Sequence, residues 1–224
     1  MPVPEVNHVG SLLFISVGLH SGGAPWYHPG MSTRTTDRYN AVRTTAIVSF
    51  LDLLSRATVA DLKAAKAWYS EARTFAESLQ SIRPEWSMVA AASVVSAFSP
   101  RVTWAHNKAK ALQYAQGITP KGLRSHVAAA DRCVVEGFDG LRGPKTNAFA
   151  RAIAGDANAV VVDVWMCRAA GLRQADGTLK DAPTDLEYRA IADAIRAIAG
   201  APCMMMEPAT MQALLWIIVR GKAD

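Results

Sequence analysis

Long runs of alternating β-branched residues are missing from this chain of 224 residues, and with them the usual signature of strands. Cysteine is scarce. Cys133, Cys167 and Cys203 form no C-x-x-C pair and are odd in number, which leaves neither a zinc ligand set nor a disulfide framework and fits a reducing compartment. The apolar run at residues 11–19, SLLFISVGL, is too short to span a bilayer, and no Lys or Arg precedes it as in a signal peptide. His8, His20 and His28 have a spacing that fits no helical or finger site, so no metal is expected. No internal repeat and no long linker appears.

What is present is half apolar, enough for one substantial core or two small lobes sharing a cleft. Alanine-rich segments with helical periodicity dominate, which predicts an all-α fold. The formal net charge of +5 and pI near 9.3 hint at an anionic partner. Residues 1–30 lack helical periodicity and end in the turn-rich HSGGAPWYHPG. They are expected to be a dispensable flexible arm, with Met31 an alternative start and residues 31–224 the helical domain.

Along that domain, residues 41–57 read as a helix with Ile47, Phe50, Leu51 and Leu54 on one face. Thr58 caps the next helix, which places Trp68, Ala72, Phe75 and Leu79 inside and Lys66, Ser70, Arg73 and Glu77 outside. Pro84 opens a third helix over residues 86–98 that is apolar all round and therefore central to a core. Ser99-Pro100 stops it. A helix bearing Trp104, Asn107 and Lys108 follows, ended by Gly117. Trp104 is read as core or as a ring facing a nucleotide, and Lys108 as solvated or as a phosphate contact. Thr184 caps a helix closed by Gly200. The methionines at 204–206 read as core filler. Glu207-Pro208 opens a last helix with Leu214, Leu215, Trp216, Ile218 and Val219 inside.

Residues 140–168, GLRGPKTNAFARAIAGDANAVVVDVWMCR, organise the rest. Gly143 precedes a helix whose first residue is Pro144, so Lys145 and Thr146 sit at its positive end. Phe149, Ala152 and Ile153 form its apolar face, and Gly155 ends it. A glycine turn that opens a helix binds phosphate through its amides and the helix dipole, and Lys145 adds charge. Asp163 follows four apolar residues and is placed to cap the next helix; a carboxylate in that setting needs a partner or a job. Arg168 reads as a structural tie between that helix and a neighbour.

These residues resemble the helix-hairpin-helix DNA glycosylases, the superfamily that includes endonuclease III. Gly143, Lys145 and Thr146 match the hairpin end, and Val162, Asp163 and Arg168 match the Val-Asp-x-x-x-x-Arg that follows an apolar run. Lys145 and Asp163 stand eighteen residues apart, as do the catalytic lysine and aspartate of lyase-type members. VVSAFSPRVTWAHNKAKAL at 94–112 is similar to the family's Leu-Ser-Ala-Gln helix and the Asn-Lys helix after it, and QALLWIIVRGK at 212–222 to its last core helix. The resemblance covers most of residues 85–222.

The chain also departs from the family. Gly140-Leu-Arg-Gly143 replaces the usual Gly-x-Gly, Phe98 stands where a gap-filling glutamine is common, and the four-cysteine iron–sulfur loop is missing.

The resemblance implies a two-lobed helix-hairpin-helix bundle with a cleft between the lobes, acting as a monomer on double-stranded DNA in the cytoplasm, the host's if phage-encoded, with no cofactor and no membrane. It implies Asp163 and Lys145 as catalytic residues, Gly140, Arg142, Gly143, Thr146 and Lys108 as DNA contacts, and Phe98 and Trp104 as a base pocket or DNA wedge. Breaking a base–sugar bond builds positive charge on the sugar, which a carboxylate stabilises, and a neutral lysine amine can attack the sugar carbon to give a Schiff base. The base must first leave the stack. Two other readings stay open. One is a phage enzyme on the same fold that alters a modified pyrimidine without releasing it. The other is a DNA-binding protein that keeps the hairpin and has no chemistry.

Overall fold

The computed structural model describes residues 32–221, so the expectations for the arm, including Met31 and the three histidines, lie outside the described residues. Among the described residues there are nine α-helices and no β-strand, as the periodicity predicts. They are α1 (Thr33–Leu54), α2 (Val59–Ile82), α3 (Met88–Ala97), α4 (Trp104–Ala115), α5 (Arg124–Glu136), α6 (Pro144–Ala154), α7 (Val164–Ala169), α8 (Asp185–Ala199) and α9 (Pro208–Arg220), with a 3-10 turn (Gly137–Gly140) between α5 and α6. None is long and apolar enough to cross a membrane.

The chain divides into two compact units. One, the terminal unit, takes the chain up to Ala65 and then resumes at Val162; the other, the inserted unit, is 66–161. The helix α2 begins in the first and continues in the second.

In the terminal unit α1 packs on α7, α8 and α9, and α9 also packs on α7 and α8. Phe50, Leu54, Met166, Ile191, Ile195, Met211 and Leu215 are fully buried. The helix α1 begins at Thr33, eight residues before the sequence pattern suggests, because Ser32 accepts the Thr35 amide and Tyr39 donates its hydroxyl to Asp193 on α8. Thr58 caps α2 as expected, with Asp61 returning a bond to the Thr58 amide. The start of α8 is a full capping box: Thr184 accepts the Glu187 amide and Glu187 accepts the Thr184 amide. The Glu187 carboxylate also receives Arg38 at 3.0 Å and Lys180 at 2.7 Å, so this one buried acid ties α1, the 173–183 loop and α8 together. Met205 contradicts the core-filler expectation, since it is 86% exposed with φ 41°.

In the inserted unit α3 is the centre. Every residue from Ala90 to Ala97 is buried, and α4, α5, α6 and the 3-10 turn pack around it. It starts at Met88 and not at Trp86, because Ser87 is the residue that caps it. Ala72, Ala76 and Leu79 of α2 join this core. Arg73 lies on the exposed side assigned to it and pairs with Glu77 there at 3.1 Å, but one arm of its guanidinium turns inward. It donates to the Ala154 carbonyl at 2.6 Å, where Gly155, with φ 104°, ends α6 and leaves room for the guanidinium.

Candidate functional site

The segment α5, 3-10 turn, α6 forms a helix, a short turn and a second helix. The chain leaves α5 through Gly137, whose φ of 60° is open to glycine and where a Cβ would meet Val89 Cγ1 at 2.8 Å. Neither hairpin glycine needs a left-handed backbone. A Cβ on Gly140 would stand 2.7 Å from the Cys133 nitrogen, so Gly140 lets the turn lie directly on α5. It is buried, which corrects its expected role as a DNA contact. Gly143 has φ −100°, and a Cβ there would meet only Thr146 Oγ1, at 3.4 Å, so neither its backbone nor its surroundings require glycine.

Several side chains hold the hairpin. Asn147 donates to the Phe138 carbonyl at 2.9 Å, Arg132 to the Gly140 carbonyl at 3.3 Å, and Ser96 on α3 to the Thr146 carbonyl at 2.7 Å. The Arg151 guanidinium lies 4.6 Å from the Phe138 ring centre and bonds Asn147. Arg132, Asn147 and Ser96 were not foreseen, because their partners are carbonyl groups that no sequence motif marks.

At the N-terminus of α6, Pro144 takes the first helical position and no side chain caps the helix. Thr146 bonds back to the Gly143 carbonyl. Lys145 is half-buried, Arg142 is exposed, and neither makes a hydrogen bond or ion pair among the described residues. Trp104 sits in an aromatic cluster, 5.6 Å from Trp68, 6.0 Å from Phe75 and 6.3 Å from Phe149, with the Lys108 amine 5.6 Å from its ring centre. Phe98, read as part of a base pocket or as a DNA wedge, is 1% exposed at the end of α3, where its ring packs on Tyr114.

Asp163 belongs to the terminal unit and Lys145 to the inserted one. Asp163 is the N-cap of α7, as its position predicts. Its Oδ1 accepts the amides of Trp165 at 2.9 Å and Met166 at 3.0 Å. Its Oδ2 accepts the indole N–H of Trp216 on α9 at 3.1 Å. The amide of Val162 donates to the Tyr188 hydroxyl, so the backbone just before the carboxylate is held as well. Burial pushes the Tyr188 phenol up to about 12, despite the Val162 bond.

Cys167 is buried one turn beyond Asp163. Burial and then the Asp163 charge raise its thiol to about 12, which leaves it a small apolar side chain and not a nucleophile. Guanidinium groups flank the nearby indoles: Arg220 lies 4.4 Å from the Trp216 ring centre and 5.9 Å from that of Trp165, and Arg168 lies 5.3 Å from Trp165. Arg168 forms a bidentate pair with Asp181, the structural tie expected of it. Among the described residues no group of three or more His, Cys, Asp or Glu is arranged to hold a metal ion.

The chain belongs to the DUF7178 family. This is a family of unknown function, and its model matches residues 32–223, which takes in both units and every helix described above. No curated protein and no solved structure matches the chain.

Proposed function

We propose that the chain is a DNA-binding enzyme of the two-lobed helix-hairpin-helix type, which takes a base out of the duplex, a modified pyrimidine in the phage-type reading, and acts at its N-glycosidic bond. The observation that carries the reading is the helix–turn–helix of α5 and α6, with an uncapped α6 N-terminus and the partnerless Lys145 in its first turn. The charge agrees with it. Residues 66–161 hold twelve Lys and Arg against seven Asp and Glu, a surplus of +5 in the unit that carries the hairpin.

In this reading the α6 amides and Lys145 hold a backbone phosphate without reading sequence. Asp163 supplies the negative charge that favours the cationic sugar as the base leaves with the bonding electrons. In a lyase-type reaction the Lys145 amine instead attacks the sugar carbon. The base departs as that bond forms, and loss of the amine proton with ring opening leaves a Schiff base.

A second reading is favoured by one observation. Both Asp163 oxygens are engaged, by two amides and an indole, as a purely structural cap would be. The protein would then bind DNA and do no chemistry.

Duplexes carrying a panel of modified pyrimidines, incubated with the chain and analysed by mass spectrometry, separate the readings. A missing base supports a glycosylase. A base of altered mass supports a modifying enzyme. Tight, salt-sensitive binding with every base intact supports the binder.

A further inference from the structure

We propose that the cavity between the α2–α3 link, the end of α4 and one side of α5 binds a small organic cation, a molecule with an apolar body and an ammonium or amidinium head. The cavity measures about 490 Å³, within the size range of small-molecule sites. All of its lining belongs to the inserted unit, and neither the 3-10 turn nor α6 takes part.

Its walls are held by hydrogen bonds. Arg83 donates to the Ala115 carbonyl at 2.6 Å, which ties the α2–α3 link to the last turn of α4. The Trp86 amide closes that link on the Arg83 carbonyl at 3.0 Å. Past α4, the Gly117 and Ile118 amides return to the Tyr114 and Gln113 carbonyls, a return that the left-handed Gly117, with φ 80°, makes. The cavity is therefore formed before any ligand arrives.

Its floor is apolar. The Trp86 ring is buried and lies 6.0 Å from the Tyr114 ring, with Val127 and Val134 of α5 half-buried in the same lining. Ile118 carries the apolar surface out to the lip, where it is 55% exposed. A bare inorganic ion would leave this floor uncovered, whereas an aryl or short alkyl body covers it.

Its rim is acidic. Glu85 and Asp131 line it against one guanidinium, that of Arg83. Arg83 is engaged by the Ala115 carbonyl, and the carbonyl end of a helix itself answers a positive charge. Glu85 lies 3.7 Å from Arg83, beyond hydrogen-bond reach, and is exposed. Asp131 accepts the Tyr114 hydroxyl on Oδ1 at 2.7 Å and has no second partner among the described residues. Burial, and then that bond, push the Tyr114 phenol up, so it stays a donor to the carboxylate. The inserted unit carries a surplus of +5, so this rim reverses the sign of its surroundings. The reversal disfavours a phosphate, and with it the DNA backbone. It favours a cation, which the rings beneath attract as well.

The test uses the full chain and amide-resolved NMR. Benzamidinium chloride and n-butylammonium chloride are titrated separately, with neutral benzamide and sodium chloride at matched ionic strength as controls. The Gly117, Ile118 and Thr119 amides should shift saturably with the two organic cations and with neither control. Glu85→Gln changes an exposed residue that makes no hydrogen bond, so it should weaken binding about threefold and leave the melting temperature unchanged. Adding Asp131→Asn should bring the loss to about tenfold. Ile118→Lys sets an internal ammonium at the lip and should abolish binding.

Equal shifts with benzamide would overturn the choice of a cation. Amides unmoved by both cations, or an affinity unchanged in the doubly substituted chain, would overturn the site. If the peptide acetyl-Gly-Arg-Gly-amide binds where both small cations fail, the cavity takes a partner's side chain and the small-molecule reading falls. A short unmodified duplex should not displace benzamidinium; displacement would make the cavity part of the DNA footprint and overturn the proposal. Lys145 and Asp163 take no part, so the outcome stands whether or not any base is released.

Discussion

Asp163 and Trp216 are fifty-three residues apart in sequence and joined by one hydrogen bond, from the indole N–H to Oδ2 at 3.1 Å. With the two α7 amides on Oδ1, the carboxylate is fixed from both sides, so its rotamer is set by the terminal unit alone. Asp163→Ala should cost roughly 2–4 kcal/mol, the cap together with an indole left without its acceptor. Asp163→Asn keeps the cap but turns an N–H toward the indole, and should cost roughly 1–2 kcal/mol. Chemical denaturation of the three proteins checks the order. On a substrate confirmed for the wild type, Asp163→Asn should lose base release and keep DNA binding, because only the charge is gone. Full activity in that variant would sink the glycosylase reading.

Lys145→Gln addresses the other half of the pair. Its amine has no partner to lose, so stability should stay within about 0.5 kcal/mol. If Lys145 attacks the sugar, borohydride should trap the native chain on DNA covalently and fail to trap the variant. If Lys145 only holds phosphate, the variant should bind less tightly and release base more slowly, with no trapping in either protein.

The two hairpin glycines should separate fold from binding. Gly140→Ala drives a Cβ into the α5 backbone and should destabilise the chain by about 1–3 kcal/mol. Gly143→Val has room and an ordinary backbone, so the melting temperature should hold while DNA affinity falls similarly for all sequences. An unchanged affinity in a folded Gly143→Val would show that DNA does not approach the start of α6.

Acid should act through Glu187. Burial alone would raise its carboxyl, but Lys180, the Thr184 amide and hydroxyl and Arg38 outweigh it and hold the group at about 2, against an ordinary 4.5. A carboxyl lowered by folding stabilises fully above 4.5 and loses that contribution as pH falls from 4.5 to about 2. The loss is roughly 3 kcal/mol. Glu187→Gln should be less stable at neutral pH and show a flatter acid limb. Urea midpoints across that range decide it, and parallel limbs in the two proteins would assign acid sensitivity elsewhere.

Local signals were legible in the sequence. Asp163 and Thr184 as caps, and Pro144 and Gly155 at the ends of α6, all depend on residues within a few positions of each other, although Glu187 as the second half of the Thr184 cap was not read. The apolar character of α3 gave its central place for the same reason. What stayed hidden depends on distant partners. Trp216 as the second anchor of Asp163, and Arg38 on Glu187 across 149 residues, have no local mark. The burial of Phe98 was hidden too, because its position in a motif says nothing about it. Gly140 and Gly143 look alike in sequence, yet only Gly140 lies against another backbone. The helix α1 was read short because Thr33–Asn40 is polar, although Tyr39 within it is buried.

The split of the terminal unit around the inserted one sets an order on synthesis. Residues 66–161 are contiguous, so every partner in that unit has been made once its last residue emerges. The helix α1 has no such luck: its partners α7, α8 and α9 come last, and Phe50, Leu53 and Leu54 wait uncovered throughout. A nascent chain stalled or cleaved before α8 therefore carries an apolar helix with nothing to bury it, and that helix is where chaperone capture or aggregation would begin.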